Sequence, residues 1–320
     1  MLKEFPMTSP SSTSKHFFNT RLFSDFVLLV TALIWGGGFV AQRRAAPFLG
    51  FFGFNGIRFL LAGLVMLPFI LKRIGKPTKT LLWILPAGGL LFAGSALQQA
   101  GLESTTAANG GFLTSVYVVL VPLFMALFWK KPTPLINWMA AIFAVIGSYL
   151  LSTGGQGVLP SSGDLLVLAG SVLWALHVIV VGLAVRQLDV FVFSAGQFML
   201  SGLLHMGASV LTEPVTIAAV SSAWEAVLYA GLVSVAIGFT LQAVGQRHAP
   251  AADAALILSL ESVFAAIGGY LILHEQLERL QILGAAIIFT AIIAAQLLQF
   301  KTRPVEELKP SQEMPPDRIS

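Results

Sequence analysis

Ten apolar runs separated by short polar breaks constrain this chain more than any other feature. They fall at 26–42, 51–71, 81–101, 105–129, 134–152, 164–185, 190–211, 224–245, 251–273 and 280–299. A helix rises 1.5 Å per residue, so about 20 apolar residues cross the roughly 30 Å of bilayer hydrocarbon. Water is absent there, so each backbone N–H and C=O must be satisfied within its own segment, which selects helix for runs of this length. The predicted fold class is therefore an all-α integral membrane protein with ten transmembrane helices. A chain that is 56% hydrophobic and only 11% charged could not cover itself as a soluble domain of 320 residues.

Within these runs a pattern recurs. Gly94-Ser-Ala-Leu-Gln98-Gln99-Ala-Gly101 returns as Gly238-Phe-Thr-Leu-Gln242-Ala-Val-Gly245, 144 positions later. Positions i, i+4 and i+7 share one helix face, so each copy sets a glutamine between two glycines. A carboxamide in hydrocarbon needs a partner and small residues admit a close neighbour, so this face belongs to an interior or a cavity. The register continues without a gap: Asn109 faces Asp253, Ser115 faces Ser259, Tyr117 faces Glu261 and Asn137 faces Gln281. Nearer the N-terminus the offset is 139, pairing Asp25 with Asp164, Trp35 with Trp174, and Phe54 to Phe59 with Phe193 to Phe198. The chain reads as a duplication, with five residues inserted around Glu213 to Trp224.

The domain reading is a disordered tail over 1–24, a first repeat over 25–153, a second over 164–300 and a disordered tail over 301–320. The run after Asp25 lacks a cleavage site and is expected to remain as the first span. With the N-terminus placed inside, fifteen Lys and Arg fall on the inner side and three on the outer, which puts both termini in the cytoplasm. This asymmetry accounts for the net charge of +4 and the pI near 9.5 without invoking nucleic acid. Five spans per repeat is odd, so the halves are inverted relative to each other. Inverted repeats suit two halves that rock about a site near the midplane.

Ala32-Leu-Ile-Trp35-Gly-Gly-Gly38-Phe39, Phe54 to Phe59 with its Arg58, Thr105-Thr106-Ala107, Val121-Pro122 and Gly268 to Glu275 together resemble the EamA domain of the drug/metabolite transporter superfamily, present twice over about residues 25–300. The resemblance implies two inverted five-helix repeats around a central cavity lined mainly by helices 1, 3, 4, 6, 8 and 9. It implies a metabolite transporter of the bacterial cytoplasmic (inner) membrane, with amino acids and their derivatives among the cargo of relatives, often moved outward. Ser262 and Ala266 stand where proline is expected, which predicts a helix 9 straighter than helix 4.

Seven residues are candidates for the cavity: Trp35, Gln98, Tyr117, Trp174, His177, Gln242 and Glu261. Glu261 lies about ten residues inside its span, where an ionised carboxylate costs on the order of 3 kcal/mol unless paired or wet. It could meet a cationic substrate, carry a coupling proton, or serve as a hydrogen-bonded structural group. Gln98 and Gln242 could hold a polar substrate or join helices; for Gln99 the joining role is favoured. Trp35 and Trp174 are too deep for an interfacial belt and either stack on a ligand or pack. His177 lines the cavity or packs, and His205 packs. Tyr117, matched to Glu261, offers a hydroxyl to the same space. Gly94, Gly101, Gly238 and Gly245 are packing glycines. Arg58 is expected outside the cavity, binding carbonyls or snorkelling, while Asn109 and Asp253 are expected to cap their helices. Glu275 is expected to be structural.

No cysteine is available for a disulfide or a thiolate, and no metal site or cofactor is expected. The chain lacks GxxxxGK[ST], HExxH and GxSxG, which disfavours a pump or an enzyme. The function predicted is a secondary transporter of a small amphipathic, amino-acid-like metabolite, working by alternating access as an exporter. An importer of the same fold, or a membrane sensor or scaffold, is the alternative. Its expected partners are the substrate and the lipid bilayer, and a homodimer is left open.

Overall fold

A computed structural model describes residues 12–71, 73, 77–130, 133–153 and 161–302. Among them are ten helices long and apolar enough to cross a membrane. These are Thr20–Ala45, Phe51–Ile70, Lys79–Leu102, Ala107–Trp129 and Leu135–Thr153, then Ser162–Ala184, Val190–Thr212, Trp224–Gln246, Ala251–Leu273 and Arg279–Leu298, hereafter spans 1 to 10. Outward faces carry exposed leucines such as Leu82, Leu127, Leu203 and Leu271, as a lipid-facing surface should.

The most extensive helix contacts join spans 2 and 7, 5 and 10, 3 and 6, and 1 and 8. Each pair takes one helix from each repeat, so the halves interlock instead of folding as separate bundles. The packing glycines serve these joints. A Cβ at Gly101 would lie 2.5 Å from the Gly163 carbonyl in span 6, and one at Gly245 would lie 2.7 Å from Leu28 in span 1. Gly94 faces Trp174, and Gly238 faces Trp35, so each repeat's glycine helix lies against the other repeat's tryptophan.

The 144-residue register appears in the backbone. Lys130 and His274 end spans 4 and 9 in the same left-handed conformation, at φ 50° and 57°. Span 4 is broken into Ala107–Ser115 and Tyr117–Trp129, and span 9 into Ala251–Leu258 and Glu261–Leu273. Helix 9 is thus not the straighter one. The break follows the serines, because hydroxyls that bond back to their own helix carbonyls weaken the ladder. Ser115 donates to the Phe112 carbonyl (2.8 Å), Ser259 to Leu256 (2.7 Å) and Ser262 to Ser259 (2.8 Å). Span 8 departs differently: Tyr229–Phe239 is wound as a π-helix. The five-residue insertion coincides with a short helix, Ile217–Ser222, between spans 7 and 8.

Two further expectations change. The first helix begins at Ser12, so residues 12–24 are helical where a disordered tail was expected. Arg21 anchors this extension, 2.8 Å from the Asp25 carboxylate and 2.9 Å from that of Asp253 in span 9. Span 10 likewise continues in helix to Thr302. The remainder of both expected tails, 1–11 and 303–320, lies outside the described residues. Asn109 and Asp253 do not cap helices either. Thr106 caps span 4 by accepting from the Asn109 amide, while the Asn109 and Asp253 side chains reach to other spans.

Candidate substrate cavity

A central cavity lies between the repeats. All seven candidates line it: Trp35 from span 1, Gln98 from span 3, Tyr117 from span 4, Trp174 and His177 from span 6, Gln242 from span 8 and Glu261 from span 9. Tyr117 and Glu261 are placed by the matched breaks, since each is the first residue of its span's second half-helix. The two therefore enter the cavity from related positions of opposite repeats. The Tyr117 hydroxyl and the Glu261 carboxyl face each other there, and neither the hydroxyl nor Glu261 Oε1 bonds to any other described residue.

The matched glutamines differ in their commitments. Gln98 Nε2 donates to Gln42 Oε1 (3.0 Å), and Gln98 Oε1 accepts from Thr114 (3.4 Å). Gln99 donates to the Gln42 carbonyl (3.2 Å), the joining role expected of it. Gln242 is fully buried, yet neither its Oε1 nor its Nε2 has a partner.

Aromatic rings form one wall around Phe239, whose centroid lies 4.6 Å from Trp35, 5.9 Å from Trp174 and 5.8 Å from His177. The π-helix lets Trp35 Nε1 donate to the Ser234 carbonyl (3.2 Å), whereas Trp174 Nε1 has no acceptor. His177 Nε2 is 2.9 Å from Gln197 Oε1. His205 packs between Phe59 and Phe92 and contacts the Ser201 carbonyl at 2.8 Å.

Seven further lining residues escaped sequence reading, and three of them shape the site. Gln42 needed the fold to reveal it, and Phe239 replaces Ser95 of the first repeat, so repeat matching hid it. Arg58 was placed outside the cavity and in fact lines it. It is 3% exposed, too deeply buried to snorkel, with the Phe54 and Phe59 rings 5.2 and 4.9 Å from its guanidinium carbon. The ring of helices around the cavity therefore includes span 2.

Polar clusters close over both ends of the bundle. At the end where span 1 begins, Asp253 accepts from Arg21 and from Asn137 Nδ2 (2.7 Å). At the opposite end Asp164 of span 6 accepts from Thr105 (2.8 Å) and Asn109, and Ser152 donates to Asn109. These are repeat images, because Asn109 matches Asp253 and Asp164 matches Asp25. In the first an arginine meets the aspartate, whereas Arg43 at the second end donates to the Leu102 and Glu103 carbonyls. A wider second cavity lies beside the Asp164 cluster, between Arg43, Asn109 and Ser152. At the same end Glu275 accepts from the Ala107 amide (3.2 Å), tying the loop after span 9 to the start of span 4.

Comparison with known proteins decides the family. The profile of the EamA-like transporter family matches residues 22–153 and again 161–295. The chain belongs to the EamA-like transporter family. It is 32% identical over 281 residues to an uncharacterized transporter of Archaeoglobus fulgidus, covering 87% of both chains. It is 26% identical to the uncharacterized inner membrane transporter YedA of Escherichia coli K12, over 87% of this chain and 92% of that one. A crystal structure at 19% identity shares the fold, with a TM-score of 0.71 over 88% of this chain and 99% of the other. As a member of this family, the chain is a multi-pass membrane transporter.

Proposed function

We propose that this protein is a secondary transporter of the bacterial cytoplasmic membrane that exports a small amphipathic metabolite by alternating access, with both termini cytoplasmic. One observation carries the reading: the central cavity is lined from both inverted repeats, with a separate polar cluster joining the repeats at each end. A site between two halves that latch at either end can be opened to one side at a time. The Arg21–Asp253 pair is the inner latch, and the larger cavity beyond Asn109 and Asp164 is the outer vestibule. Cargo sits against Trp174 and Phe239 and takes hydrogen bonds from Gln242, whose two polar atoms have no protein partner. Glu261, buried beside the Tyr117 hydroxyl at the break of span 9, carries the coupling proton.

The test is untargeted metabolite profiling of medium and cytoplasm in cells producing wild type, Glu261→Gln or neither. The expected result is one compound enriched outside with wild type and not with the variant. Depletion of a compound from the medium would reverse the direction to import. No change in any compound would overturn the transporter reading and favour a sensor or scaffold.

A further inference from the structure

We infer that Arg58 is the specificity-determining residue of the central cavity and recognises a carboxylate on the cargo. The inference rests on the transporter reading of the same cavity. Arg58 lines the space between the repeats, 3% exposed, and among the described residues makes no hydrogen bond or ion pair. Its guanidinium lies over the faces of Phe54 and Phe59, which stabilise a cation without neutralising it. The other deeply buried arginine shows what is missing, since Arg21 meets two carboxylates. A guanidinium presents its donors in a planar fork that fits a carboxylate, and a buried cation left uncompensated is costly. An anion entering the cavity would supply the partner.

Two observations separate this role from packing. At the matched position in span 7 stands Gln197, a neutral amide bonded to His177, so the repeat does not require a charge there. Glu261, contributed by the other repeat, faces the Tyr117 hydroxyl and does not pair with Arg58. The cavity therefore holds one unpaired cation and one carboxyl group at separate points. A single carboxylate on an apolar body fits this balance, whereas a doubly charged phosphate monoester would place excess negative charge beside Glu261.

The purified full chain is tested for binding of apolar carboxylic acids, each beside its carboxamide: leucine, phenylalanine, N-acetylleucine and 3-phenylpropionate. Phenyl phosphate is the arm for the other anion. Wild type is expected to bind at least one acid about tenfold or more tightly than its amide, the usual span for a charge-assisted bond. Arg58→Gln is expected to bind that acid no better than the amide, with amide binding unchanged, and Arg58→Lys to keep part of the preference. Equal binding of acid and amide by wild type, preference for phenyl phosphate, no binding of any acid, or equal weakening of both by Arg58→Gln would each overturn the inference. Should Arg58→Gln fail to fold, the wild-type ratio and Arg58→Lys decide. An exported compound that lacks a carboxylate would remove the role of Arg58 and leave the transporter standing.

Discussion

Gln98 and Gln242 occupy matched positions and face opposite demands. The first is bonded at both ends of its amide, and the second is buried with neither end bonded. Truncating Gln98 to Leu strands Gln42 and Thr114, and should cost about 1–2 kcal/mol, read as a lower melting temperature of the purified protein. Gln242→Leu removes two unsatisfied atoms and should leave stability equal or higher while export falls by tenfold or more. A Gln242→Leu protein that exports normally would mean that the amide does not touch cargo. Glu261 makes a separate claim at this scale. Flux through wild type in proteoliposomes should follow an imposed pH gradient, and flux through Glu261→Gln should ignore it. Wild-type flux indifferent to the gradient would remove proton coupling.

At the scale of helices, close approach and helix breaks are the two devices on view. Gly101 lies so near the Gly163 carbonyl that Gly101→Ala must push spans 3 and 6 apart, whereas a Cβ at Gly89 in the same span meets nothing within 4 Å. Gly101→Ala should therefore lower the melting temperature, and Gly89→Ala should hold or raise it, since alanine is favoured in a helix by roughly 0.8–1.0 kcal/mol. The breaks in spans 4 and 9 place Tyr117 and Glu261 at the cavity. Proline was an incomplete sign to look for, since span 9 breaks without one where Ser259 and Ser262 bond back to their own helix. The π-helix of span 8 follows from no local motif in Tyr229 to Phe239, which reads as an ordinary apolar run.

At the scale of the whole molecule, what repeats along the chain was legible and what joins distant segments was not. Hydropathy located the ten spans, and the glycine–glutamine pattern with its constant offset located the duplication, because both are periodic properties of single segments. The seven cavity candidates were legible as polar or bulky aromatic residues too deep for their surroundings. Arg58 met the same criterion and was misplaced, because its position was taken from the expected ring of helices and not from its charge. The end clusters depend on pairs such as Arg21 with Asp253, which only the folded chain brings together. They also carry the central claim, that the two ends open alternately around one cavity. Because the chain has no native cysteine, cysteine pairs can be placed at 21 and 253 and, separately, at 109 and 164, then bridged with a short bifunctional maleimide. Export of the compound identified by profiling, measured against the same pair unbridged and against each treated single variant, should stop when either end is bridged. Undiminished export with one end locked would contradict alternating access.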